Sequence, residues 1–220
     1  MDIRCKTRSG LLALACASAF AFVWPAALSA QAIPRPELKV GDTWTYHVTN
    51  RPTFGNPATT KREVTQTVQE VLGDGYRIVT TGTEATGTPA APGTFEFTTD
   101  LNPRSRAAEG RGWREFKRLQ WPLEPGKTWK FEFEQVDPST PSVWSGKADD
   151  WTEFSVPAGR FRAIKVVLTR ESLGASAATV RETFWYSPEA KRGLRLESYR
   201  VNKGYVYEDV IWELVKFDVK

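Results

Sequence analysis

Few residues in this chain have the type and spacing that catalysis or metal binding needs. His47 is the only histidine among 220 residues, and hence the only side chain whose unperturbed pKa, about 6.5, lies near neutrality. It stands between Thr45 and Thr49 in an alternating stretch, on the polar face of a strand, which favours a structural histidine over a general base. Glu132 and Glu134 share a strand face with Lys130, roughly 6.5–7 Å apart by the strand repeat. That separation overlaps the spacing of inverting glycosidase carboxylates, but two carboxylates on one strand approach a sugar bond from one side only. Gly126-Lys127-Thr128 resembles the end of a phosphate-binding loop. Trp121 occupies the place of that loop's first glycine, however, and strand residues follow where a helix should begin. Asp149-Asp150 lacks the spacing of a calcium loop. Both cysteines, Cys5 and Cys16, lie close to the N-terminus, so one histidine is left to serve a zinc site that needs several ligands. The sequence therefore assigns no catalytic residue, no metal ligand and no cofactor.

Binding is the more promising chemistry. Eight of the nine tryptophans lie beyond residue 32, and most occupy strand positions where burial accounts for them. Trp144 differs, because Pro141, Ser142, Ser145 and Gly146 around it make residues 136–148 read as a loop. It is the first choice for a binding contact. Between residues 104 and 118, six basic residues outnumber Glu109 and Glu115. Arg111, Arg114 and Lys117 in this run complete the candidate ligand-binding set, toward an anionic envelope partner such as a lipid headgroup.

The elements that must position these residues begin after a leader. Arg4, Lys6 and Arg8 precede a largely apolar run over residues 11–28 and the small-x-small triplet Ala30-Gln31-Ala32, the pattern of a secretory signal peptide over residues 1–32. Pro25 interrupts the run, so it reads less well as a membrane anchor, and no stable transmembrane segment is expected after cleavage. A lipoprotein alternative rests on Cys16 after Ala15, without the usual leucine three positions earlier. Cleavage removes both cysteines, so disulfides play no part in the exported chain, whose expected location is periplasmic or secreted. It also removes three basic residues and one acidic residue from totals of 30 and 26, leaving 27 against 25. So small an excess gives no nucleic-acid footprint.

From Thr43 onward the apolar residues alternate. Trp44, Tyr46 and Val48 face one way and Thr45, His47 and Thr49 the other. Gly73-Asp74-Gly75 separates two such runs as a hairpin turn. About eleven strands follow from this reading, and no helix. The segment Leu38-Lys-Val-Gly41-Asp-Thr43-Trp44-Thr-Tyr46 returns 85 positions later as Leu123-Glu-Pro-Gly126-Lys-Thr128-Trp129-Lys-Phe131. This points to two tandem β repeats, residues 33–122 and 123–220, joined in one domain. The expected fold is all-β, an antiparallel curved sheet, half-barrel or barrel.

Val40-Gly41-Asp42-Thr43-Trp44-Thr45-Tyr46, then Pro157-Ala158-Gly159-Arg160-Phe161-Arg162-Ala163-Ile164-Lys165-Val166, then Trp185-Tyr186-Ser187-Pro188 follow a recognisable pattern. With these three elements the chain resembles an uncharacterised family of bacterial exported β-rich proteins. The resemblance implies a curved antiparallel sheet or half-barrel, similar in outline to periplasmic lipoprotein carriers, and brings no catalytic residue with it. The expectation is an exported, non-enzymatic envelope protein that binds a lipid or other hydrophobic ligand on a concave β face. Two alternatives stand beside it. One is a glycan-directed hydrolase or lyase using Glu132, Glu134 or His47; the other is a structural module that binds a glycan or another envelope component.

Overall fold

A computed structural model describes residues 32–84, 86–106, 113–133, 142–170 and 178–220. Residues 1–31, with Cys5 and Cys16 and nearly all of the expected leader, lie outside the described residues, as do Arg111 and Glu134. Twelve strands form one antiparallel sheet and no α-helix occurs among the described residues. The first six are β1 (Thr43–Asn50), β2 (Thr60–Leu72), β3 (Gly75–Gly82), β4 (Gly93–Thr98), β5 (Pro103–Arg106) and β6 (Trp113–Glu115). The second six are β7 (Thr128–Phe133), β8 (Ser142–Val156), β9 (Gly159–Arg170), β10 (Thr179–Ser187), β11 (Arg192–Asn202) and β12 (Tyr205–Asp218).

The order across the sheet is β6-β5-β4-β3-β2-β1-β12-β11-β10-β9-β8-β7. Each group of six is an up-and-down meander. The first and last strands pair with each other over the full length of β1, from Thr43 opposite Asp218 to Asn50 opposite Val210. The two edges, β6 and β7, are therefore neighbours in sequence. The sheet curls into a nearly closed barrel with one seam, and side chains close that seam instead of a backbone ladder. Phe116, just beyond β6, sets its ring edge against Phe131 and Phe133 of β7, at centroid distances of 5.3 and 5.2 Å. Trp129 Nε1 donates to the Lys117 carbonyl at 3.0 Å. Closure leaves few free edges, which removes most sites for edge-to-edge aggregation.

Alternation has the consequence expected of it. Trp44, Tyr46 and Val48 point inward with 0%, 5% and 0% exposure, whereas His47 points out beside Glu63, 3.8 Å away. Full burial of each large inward side chain contributes about 1.5–3 kcal/mol. The polar tips of two of these rings are satisfied inside: Trp44 Nε1 donates to the Ala190 carbonyl at 2.7 Å, and the Tyr46 hydroxyl to the Gly193 carbonyl at 3.0 Å. These bonds anchor β1 to the β10–β11 turn and to the start of β11.

The two copies of the recurring segment adopt the same local structure. Gly41 and Gly126 have φ of 90° and 80°, left-handed values that disfavour a β-carbon. Asp42 N donates to the Lys39 carbonyl (3.0 Å) and Lys127 N to that of Glu124 (3.1 Å). Gly41 N donates to Val68 O and Gly126 N to Ala148 O, each at 2.9 Å. Val68 N and Ala148 N return bonds to the carbonyls of Asp42 and Lys127. The turn thus launches the first strand of each meander and ties it to the second.

The twelve strands among the described residues agree with the about eleven expected; the additional one is β5, Pro103–Arg106, a short strand of proline, serine and arginine without apolar alternation. One expectation is corrected. Trp144 belongs to β8, which starts at Ser142, and not to a loop. Gly146 looked like a turn residue. Its role is to make room for the Trp129 ring, since a β-carbon there would stand 2.2 Å from Trp129 Cε2.

Candidate functional site

Curling the sheet leaves a cavity of about 500 Å³ inside one side of the barrel. The other interior groups, including Trp44, Tyr186, Leu194 and Leu214, are packed solid. The cavity wall is built mainly by residues of β1 to β4 on one side and of β10 to β12 on the other. Arg62, Val64 and Gln66 come from one face of β2, as the two-residue period requires, and Phe95 and Phe97 from one face of β4. Leu196 and Trp212 close it from β11 and β12, and Arg118 and Leu119 from the seam segment. Phe95 and Glu84 are exposed and stand at its mouth.

Against this apolar wall lie four cationic side chains with different surroundings. Arg118 is compensated, since its Nε and Nη2 both reach Glu182 Oε2 at 3.0 Å. Arg192 is buried, with its guanidinium 4.5 Å from the Phe97 ring centroid and 5.1 Å from that of Trp44, both suited to cation–π attraction. Its Nη2 donates to Gln66 Oε1 at 2.8 Å. Burial lowers the pKa of Arg192, the Tyr46 hydroxyl acts to raise it, and Arg118 adds like-charge repulsion. The same burial pushes Tyr46 up to about 12, against the pull of Arg192. Arg62 has a buried Nε without a hydrogen-bond partner, and the Thr80 hydroxyl is in the same condition. Arg195 also borders the cavity, but its guanidinium bonds to Glu213 at 2.8 Å and Glu197 at 2.6 Å.

The residues singled out from sequence are not gathered at this cavity. Trp144 is 4% exposed, stacked 6.3 Å from Phe131 and edge-on to Phe116, with its Nε1 donating to Ser142 Oγ. Arg114 lies in β6 and Lys117 just beyond it, with the Lys117 side chain exposed. Glu132 is exposed on β7, and His47 and Glu63 are both exposed on the outer surface. The Lys127 ammonium donates to the Pro122 carbonyl, and Asp149 pairs with Lys147 at 3.1 Å. Among the described residues no cluster of three or more histidine, cysteine, aspartate or glutamate side chains is placed to hold a metal. No helix among them is long and apolar enough to cross a membrane.

Sequence reasoning missed Arg62, Gln66, Thr80 and Arg192. A weak signal was present: Arg62 and Gln66 share a strand face with the buried Val64 and Val68, polar residues where apolar ones are the rule.

No protein-family model matches this chain, and no curated protein matches it. Two solved structures are similar in outline. A protein of Bacteroides fragilis, assigned to export and to a YmcC-like fold, shares 15% identity over 86% of this chain and 100% of its own, with a TM-score of 0.46. A protein of Parabacteroides distasonis, assigned as a lipoprotein, shares 13% identity over 84% of this chain and 97% of its own, with a TM-score of 0.44.

Proposed function

We propose that this chain is an exported, non-enzymatic envelope protein, periplasmic or secreted, that holds a lipid or other hydrophobic ligand inside its β-barrel. The observation that carries this reading is the cavity of about 500 Å³ with aromatic and aliphatic walls. Its size falls within the roughly 300–1,000 Å³ usual for small-molecule pockets. The leader over residues 1–32 supports export, and the two equivalent launching turns support a scaffold made by tandem duplication. A mainly apolar wall interrupted by polar side chains suits a ligand with a large apolar part, the polar groups fixing its orientation.

Native mass spectrometry of the gently purified protein tests the reading. A bound species in the lipid mass range, lost on organic extraction and regained on adding lipid, is the expected result. A protein that carries nothing and takes up no apolar fluorescent probe would refute it.

A further inference from the structure

The cavity contains more than an apolar ligand requires. Arg192 is buried between two aromatic rings, held by Gln66, and makes no ion pair among the described residues. Arg62 likewise makes no ion pair among them, and its buried Nε and the Thr80 hydroxyl have no partner. All four of these polar side chains line the same cavity. Three other partly buried arginines are paired: Arg104 with Asp74 and Glu96, Arg118 with Glu182, Arg195 with Glu197 and Glu213. A guanidinium stays charged in a protein, so one withdrawn from water without a counter-ion is costly. Cation–π contacts, the Gln66 amide and the neighbouring Tyr46 hydroxyl offset that cost only in part, because none of them carries a negative charge. Glu84 is the only carboxylate residue lining the cavity, and it is exposed and forms no ion pair among the described residues.

We propose that the occupant is an acyl amphiphile with an anionic head, a carboxylate or phosphate oxyanion, bound by Arg192 and Arg62 while its chain lies against Phe95, Phe97, Leu196 and Trp212. This rests on the reading of the cavity as a lipid site and adds the chemistry and orientation of the ligand. An oxyanion accepts two parallel hydrogen bonds from a guanidinium, and Gln66 and the two flanking rings already hold that of Arg192 in place. Arg62 Nε and Thr80 Oγ1 supply further donors that have no other partner. Charge therefore fixes one end of the ligand, and the apolar wall accepts the other.

Fluorescence titration of the purified protein with cis-parinaric acid and with its uncharged methyl ester, at neutral pH, reads the head group and the chain separately. The acid is expected to bind at least about ten-fold more tightly than the ester, the scale of a single charge-assisted pair. Arg62→Gln should reduce that preference several-fold with ester affinity unchanged, and Arg192→Gln should nearly abolish it. Arg62 lies in a strand and anchors no ring, so its variant tests the proposal even if Arg192→Gln fails to fold. Displacement of the probe by oleate or by oleoyl lysophosphatidate supports the proposal and tells carboxylate from phosphate. Displacement by inorganic phosphate alone would remove the need for a chain and overturn it. Equal binding of acid and ester would overturn the charged-head inference while leaving the hydrophobic-ligand reading intact. Binding of neither probe would overturn both.

Discussion

The contact between Gly146 and Trp129 can be tested quantitatively, because the clash that a methyl group would create is defined atom by atom. A β-carbon at position 146 would lie 2.2, 2.5 and 2.6 Å from Cε2, Cζ2 and Nε1 of the Trp129 ring, against an ordinary contact distance of about 3.5–4.0 Å. The φ of Gly146 is not left-handed, so the backbone itself tolerates alanine. Relief requires the ring to retreat by more than about an ångström. Such a shift breaks the 3.0 Å bond from Nε1 to the Lys117 carbonyl, one of the contacts that close the seam. Overpacking costs about 1–3 kcal/mol and the lost bond about 1 kcal/mol. Gly146→Ala should therefore destabilise the protein by about 2–3 kcal/mol. Trp129→Ala alone should cost about 3–5 kcal/mol through the vacated volume. In the double variant the added methyl meets no ring, and a reduced unfolded-state entropy even favours alanine by about 0.4–1 kcal/mol. The cycle should return a coupling of about 2.5–4 kcal/mol, and Gly146→Ala alone should lower the urea midpoint by about 1 M. Far-UV circular dichroism in urea measures all four proteins without depending on the deleted tryptophan. Additive costs, with Gly146→Ala equally harmful in the Trp129→Ala background, would refute this account of the contact.

Other expectations follow from the same coordinates. Asp42 is fully buried, its two carboxylate oxygens accepting bonds from the backbone amides of Lys39 and Lys220 at 2.9 Å, so Asp42→Ala should cost about 2–4 kcal/mol by stranding both donors, readable as a lowered Tm. Burial raises the pKa of the Tyr46 hydroxyl from its ordinary 10.0 to about 12 in the fold. Between those values the unfolded chain releases a proton that the folded chain retains. Through Tyr46, stability should thus be unaffected below pH 10 and fall by up to about 2–3 kcal/mol between pH 10 and 12; Tyr186, also pushed up by burial, adds its own loss, so the fall should be less steep, not absent, in Tyr46→Phe, and equal alkaline slopes in urea titrations would contradict the assignment. Trp144→Ala should lower stability by about 3–5 kcal/mol, since the ring is core to the seam, and equilibrium unfolding that shows less than about 1 kcal/mol would place the ring at the surface.

Local rules made much of the fold legible in the sequence. The two-residue period of Trp44, Tyr46 and Val48 set which side chains enter the barrel, and left-handed glycines at 41 and 126 marked where two strands begin. β5 escaped notice because it is held by pairing with β4 and by Arg104 bonded to Asp74 and Glu96, neither of which leaves an apolar pattern. Trp144 and Gly146 misled for a related reason. Serine and glycine in a strand resemble a loop until the neighbouring strand supplies the ring that needs the space.

By itself, then, the sequence determined an all-β protein with alternating faces and strands begun by recurring turns, because each depends on residues close together in the chain. Only the tertiary structure decided that the faces enclose a cavity and that Arg62, Gln66 and Arg192 meet inside it. Arg62 and Arg192 are far apart in sequence and come together when β1 pairs with β12 and the sheet curls. Whether a guanidinium is solvated or buried depends on what the closed barrel places around it, here the rings of Trp44 and Phe97, and composition carries no record of that.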